Sequence, residues 1–114
     1  MSDDAPDSVS DDVRYAPRAV DDEEWTSAFL RRRPAGVLGL VDDGAPYVVT
    51  QLFAYDEDEH AVFFHGANEG KTKRIVERSD RASFTVNEMG RLLPAEKPVN
   101  FDVEYESVVA FGRI

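Results

Sequence analysis

The sequence predicts a mainly β fold: an antiparallel β-barrel, closed or nearly closed, with flanking helices. Three observations lead there. Five strand-like runs follow one another through mostly short connections; helical periodicity appears only ahead of the first run and between the third and fourth; and the regular β-α alternation of a parallel sheet is absent. The 114 residues fit one domain, and 42% hydrophobic with 11% aromatic residues supply material for a core.

Residues 1–20 mix Asp, Ser, Pro and Ala without apolar periodicity and read as an acidic, mobile N-terminal arm, leaving residues 21–114 as the folded domain. At Asp21-Asp22-Glu23-Glu24 an Asp cap and first-turn acids announce a helix. Trp25, Ala28 and Phe29 share its apolar face, and it ends by Arg32 because the residue before Pro34 is pushed out of helical geometry. Val37–Val41 is a short strand closed by Asp42-Asp43-Gly44, a hairpin signal. Pro46–Tyr55 is apolar on both faces apart from Thr50 and Gln51, which predicts a strand covered on both sides. These two polar residues bond either the edge of a planar heterocycle or each other and the barrel interior. After the Asp56–Glu59 turn, which takes in His60, a third strand spans Ala61–Ala67. A helix over Lys71–Arg78 turns Thr72, Ile75 and Val76 inward. Residues 81–88 alternate, with Ala82, Phe84 and Val86 on one face; MGRLLPAEKP reads as a loop exposing Leu92 and Leu93. In the last strand Val99, Phe101, Val103, Tyr105, Val109 and Phe111 share a face.

Charge removes several function classes. A net charge of −10 repels nucleic acid and anionic lipid. With no cysteine and only His60 and His65, neither a thiolate nor a His-rich metal centre is expected. No apolar run is long enough to span a bilayer and the N-terminus is acidic, so a soluble, cytoplasmic protein is expected. Arg supplies ten of the thirteen basic residues. Carboxylate excess with little lysine fits a halophilic protein, in which salt screens self-repulsion; it fits equally an ordinary acidic protein, since residues 1–24 hold nine of the acids.

The exception to that acidity is residues 71–81, where Lys71, Lys73, Arg74, Arg78 and Arg81 face only Glu77 and Asp80, a local charge of +3 against −13 elsewhere. Cations in the first turn of a helix oppose its dipole unless an anion sits there. Gly66 and Gly70 would admit backbone N–H groups, the Thr72 hydroxyl would donate, and Lys71 would supply charge to a phosphate monoester. The alternative is a solvated basic face with Gly70 as a turn residue. The Walker A spacing is absent. His65 ends an apolar strand just before this helix, which sets its ring beside whatever carries the phosphate, although a solvent-facing histidine has the same signature. Ser83 and Ser107 have no triad partners at recognisable spacing.

Three blocks in order, GVLGLVDDGAPYVVTQLFAYDEDEHAVFFHGANEGK, KTKRIVERSDRASFTV and YESVVAFGR, resemble the pyridoxamine 5′-phosphate oxidase-like FMN-binding split β-barrel family over about residues 22–114. The nearest pattern is the nitroimidazole-reductase type, which reads P-Y-V-V-P, then F-H-[SG]-A-x-x-G-[RK]-K, then Y-R-S-V-x-x-F-G-R. The resemblance implies an FMN-dependent oxidoreductase acting on small electron-poor substrates such as nitro-aromatics, built as a homodimer with FMN at the subunit interface. It implies that Thr50, Gln51 and Leu52 line the isoalloxazine, that Phe64, His65, Gly66 and Ala67 flank the ring and ribityl chain, and that Lys71 and Thr72 take the phosphate. His65 would stand nearest the substrate as a proton donor or positioning group.

The chain departs from the family pattern at Thr72, where a second basic residue is usual, so that phosphate charge falls to Lys71 with Lys73 or Arg74. Thr50 replaces a proline and Glu106 an arginine. Family members continue past the FGR strand with another strand and helices, which makes this chain a minimal version, a truncated product or a fragment. The competing expectations are a non-catalytic module holding flavin or a deazaflavin, and a structural barrel with an empty site.

Overall fold

The computed structural model describes residues 16–114, so the arm expected over 1–20 lies outside the described residues except for its end, where Ala16–Arg18 form a single 3-10 turn. Helix α1 (Glu23–Arg31) starts within the expected Asp21–Glu24 run, with Asp22 as its cap: the Asp22 carboxylate accepts from the backbone N–H groups of Glu24 and Trp25 at 3.0 and 3.2 Å. Strands β1 (Ala35–Asp42) and β2 (Ala45–Asp56) follow, then β3 (Ala61–Phe64), helix α2 (Lys71–Arg78), β4 (Arg81–Leu93) and β5 (Asp102–Arg113).

The five strands form one antiparallel sheet in the order β3-β2-β1-β4-β5. The β1–β2 turn puts Asp43 at φ 50° and Gly44 at φ 85°, the two positive angles that match the twist of a tight hairpin. Because β3 is an edge strand and β4 lies beyond β1, the connection between them crosses the sheet, and α2 travels on it. Both helices cover the same face. Phe29 and Leu30 of α1 and Ile75 of α2 share a core with Leu38, Leu40, Val62, Ala82, Phe84 and Val86. The mainly antiparallel β architecture is the expected one, but among the described residues the barrel stays open: β3 and β5 end the sheet, each paired with one neighbouring strand.

The open sheet corrects two readings of burial. β2 is covered on one side only: Tyr47, Val49, Gln51, Phe53 and Tyr55 are half-buried, whereas Val48 and Leu52 are 68% and 64% exposed. Likewise the shared apolar face of β5 is the outer one, with Tyr105 and Val109 exposed while Val108, Ala110 and Gly112 turn inward. Val99 lies in a 3-10 turn before that strand and Phe101 just ahead of it. Local alternation tells which residues share a face; a helix brought from elsewhere decides which face is covered.

Two boundaries also move. β3 stops at Phe64, its last partner being Phe53, so His65–Ala67 are not strand. β4 runs through the expected loop to Leu93, because β5 pairs with it across a bulge between Met89 and Leu92. Past Val86 this pair is a two-stranded ribbon with exposed Met89, Leu92 and Leu93.

The 3-10 turn is tied to the ribbon's other strand by Arg18, which bonds Asp102 at 3.1 Å. The backbone N–H of Val103, and after it the Arg18 guanidinium, hold the Asp102 carboxyl below its usual range. A lowered folded value means that this attachment is complete above the unfolded carboxylate pKa of about 3.9 and is lost as pH falls through the folded one. Acidification from pH 7 is therefore expected to break the Arg18–Asp102 bond without unfolding the sheet. The Arg18 guanidinium also lies over the Tyr105 ring, 5.8 Å from its centroid, so NMR shifts of the Asp102 carboxyl and the Tyr105 ring check it; a Tyr105 ring indifferent to the Asp102 titration refutes it.

Candidate functional site

Between β3 and α2 the chain crosses six residues without regular structure, His65–Gly70. Gly70 caps the helix at φ 121°, a conformation that L side chains rarely adopt, and it brings no side chain to bond the first-turn N–H groups. No acid occupies that turn. An eight-residue helix thus begins with uncapped donors and with Lys71, Thr72 and Lys73 as its first three residues. Gly66 has no matching steric role, since a Cβ there would meet nothing within 4 Å.

The surrounding cations are not equivalent. Lys73 is bound to Glu77 at 2.7 Å, one turn along, and holds that carboxyl below its usual range. Arg78 bonds Asp42 of the β1–β2 turn at 3.1 Å. Lys71 and Arg74 have no carboxylate partner among the described residues. Of the two reserves of charge the sequence leaves open, Arg74 is the uncompensated one. The Lys73–Glu77 spacing of i,i+4 was a readable signal for this.

The sheet contributes a residue that sequence reasoning passed over. Tyr47 stands on the inner face of β2, opposite Leu40, and its hydroxyl lies 3.1 Å from the Thr72 Oγ1. Its ring is beneath Lys71, whose Nζ is 5.0 Å from the centroid. The signal for it was an inward aromatic with a polar tip in the Pro46-Tyr47-Val48-Val49 run.

The other expected site residues are distributed over two faces. Gln51 points inward and is half-buried opposite Gly36; Thr50 and Leu52 point outward and are exposed. Adjacent strand residues always divide this way, so Thr50 and Gln51 are not partners. Phe64 belongs to the core edge, its ring 4.9 Å from that of Phe84 and nearly perpendicular to it. His65, Gly66 and Ala67 are exposed, and no hydrogen bond orients the His65 ring among the described residues. His60 lies in the β2–β3 turn, where Nδ1 is 2.8 Å from the Tyr55 hydroxyl. Lys71 and Thr72 are therefore gathered by Tyr47, whereas among the described residues no hydrogen bond, ion pair or ring contact joins them to Thr50, Gln51, Leu52 or His65.

An open depression of about 390 Å³ lies between the β1–β2 turn and the other end of α2, lined by residues that include Asp42 and Arg78. Arg78 is bonded to Asp42 there and Asp43 adds a second carboxylate, so it offers an anion nothing comparable. No helix among the described residues is long and apolar enough to cross a membrane.

A family model described as Pyridoxamine 5'-phosphate oxidase matches residues 21–114. Among solved structures, the flavocytochrome Anf3 from Azotobacter vinelandii is similar at a TM-score of 0.79 and 29% identity, over 96% of this chain and 50% of that one. The FAD and heme binding protein from Mycobacterium smegmatis is similar at a TM-score of 0.75 and 21% identity, over 82% of this chain and 45% of that one. The chain thus spans about half the length of these structures. No curated protein matches its sequence.

Proposed function

The chain belongs to the pyridoxamine 5′-phosphate oxidase family, and from that premise we propose that it is an FMN-binding flavoprotein, an oxidoreductase for small electron-poor substrates such as nitro-aromatics. One observation carries the reading: the uncapped N-terminus of α2, with Lys71, the Thr72 hydroxyl and Arg74 around it and no acid in its first turn. That donor set fits a phosphate monoester and suits no cation. The likeness to a flavocytochrome at 29% identity adds support for a flavin as its bearer.

In this reading Lys71 and Thr72 take the phosphate. His65, Gly66 and Ala67 edge the ribityl chain together with Phe64, and the side chains of Thr50 and Leu52 with the backbone of Gln51 form the wall for the ring. When bound, the flavin supplies the electron or hydride transfer; the protein binds and orients it, and His65 is its candidate proton donor toward substrate.

The homodimer is part of the same proposal. Val48 and Leu52 of β2, Phe63 of β3 and Val109 of β5 are all more than half exposed on the outer side of one sheet. Register joins them, since Thr50, Val37, Thr85 and Val109 run in one row across four strands. Contiguous apolar surface of this kind is uncommon on a monomer, and a second copy against it would enclose Thr50 and Leu52 beside the flavin.

Purified protein is expected to show flavin absorbance or to quench the fluorescence of added FMN, to sediment as a dimer, and to reduce a nitro-aromatic acceptor at the expense of reduced nicotinamide. Failure to take up FMN at all defeats the proposal. A second reading, a flavin or deazaflavin carrier without turnover, draws on the unanchored His65 ring. It prevails if FMN binds but neither nicotinamide nor a chemical reductant supports turnover.

A further inference from the structure

We infer that Tyr47 is a positioning residue for the phosphate-bearing end of the ligand at α2, setting the direction of the Thr72 hydroxyl and steadying Lys71 from the sheet side. The inference rests on the flavin reading above. It begins from the substitution at Thr72, where the family pattern has a second base. A hydroxyl brings no charge, has a single hydrogen to give, and rotates freely unless something fixes it.

Here something does. The Tyr47 hydroxyl lies 3.1 Å from the Thr72 Oγ1. When the phenol donates to that oxygen, the one hydrogen of Thr72 is left for an acceptor at the open end of the helix, and the two hydroxyls polarise in the same sense. The same ring underlies the Lys71 ammonium at 5.0 Å, an attraction between a cation and the negative face of an aromatic. Thus one half-buried side chain touches both expected phosphate ligands.

The rigidity of the arrangement comes from the strand. Tyr47 is paired in register with Leu40, which is 4% exposed, so its backbone is held by the core. An eight-residue helix has little stability of its own and takes its position from such tertiary contacts. Tyr47 therefore acts on the phosphate through Thr72 and Lys71, and it contributes to discrimination between FMN and riboflavin, which share a ring and differ in the phosphate.

The test measures dissociation constants of FMN and of riboflavin by fluorescence quenching on the full chain, for the native protein, Tyr47→Phe, Thr72→Val and the double variant. Tyr47→Phe keeps the ring under Lys71 and removes only the hydroxyl. It is expected to weaken FMN binding about five- to tenfold while leaving riboflavin unchanged. Thr72→Val is expected to do the same, and the double variant to be no worse than Thr72→Val alone, because both remove one relay. A general loss of fold would weaken both flavins alike. Tyr47→Phe with the native FMN-to-riboflavin ratio overturns the inference and leaves the flavin reading standing, as do single losses that simply multiply. A native protein that binds the two flavins equally overturns the phosphate site itself, and this inference with it.

Discussion

Lys71→Ala is expected to weaken FMN binding by about 10- to 100-fold, with riboflavin affinity and thermal unfolding nearly unchanged, whereas Lys73→Ala costs less than about threefold. The contrast follows from how α2 distributes its charge. Lys73 is already neutralised by Glu77 at 2.7 Å, and that exposed i,i+4 pair adds little beyond the helix surface. Lys71 has no carboxylate partner among the described residues and stands at the first helical position, beside N–H groups that no side chain caps. A hydrogen bond from such an ammonium to a phosphate is charge-assisted and is worth about 1.5–3 kcal/mol, the source of the expected range. Its partial exposure predicts that the difference between the native protein and Lys71→Ala shrinks as salt is raised. Titration of each variant with FMN at two ionic strengths decides it. Equal losses for Lys71→Ala and Lys73→Ala would mean that the helix acts as a diffuse basic face, with no phosphate seated at its N-terminus.

The second large effect concerns the core that holds this helix in place. Phe84→Ala is expected to destabilise the fold by about 3–5 kcal/mol, much of what a domain of this size has. Phe84 is 1% exposed and receives two rings edge-on: Phe53 at 5.0 Å and Phe64 at 4.9 Å, with interplanar angles of 73° and 70°. It also fills the space that the missing side chain of Gly36 leaves on β1, where a Cβ would come within 2.5 Å of the Phe84 Cζ and 2.6 Å of the Thr85 carbonyl oxygen. Removing the ring opens a void between three strands that are hydrogen-bonded in place, so collapse is limited. Since Phe64 is the last residue of β3, loosening it also frees the segment that leads to Gly70, and FMN affinity should fall with stability. Urea unfolding of both proteins provides the measurement. A loss below about 1 kcal/mol would show that Phe53 and Phe64 can close over the gap.

The parts of this fold that were legible in the sequence are those decided by neighbours along the chain. The Asp22 cap, the two-residue Asp43-Gly44 turn, the limits of α2 and the inward set Ala82, Phe84 and Val86 all depend on residues within a few positions of one another. The same holds for the charge contrast at residues 71–81 and, read at i,i+4, for the neutralisation of Lys73. The family resemblance belongs here as well, being a matter of ordered residue blocks.

Tertiary structure alone decided the rest. Alternation in β5 groups Tyr105 with Val109, but that group lies outward because both helices pack on the opposite face, and the path of α2 is set by where β4 joins the sheet. The same packing left β2 covered on one side, and among the described residues the sheet is open at β3 and β5. Extension of β4 to Leu93 waited on a partner that comes later in the chain. Tyr47 is the clearest instance at the site: 25 positions separate it from Thr72, and no local pattern connects them. Periodicity and capping act over a turn or a hairpin, whereas the sidedness of a sheet and the grouping of a site are set by elements that meet only when the chain has folded.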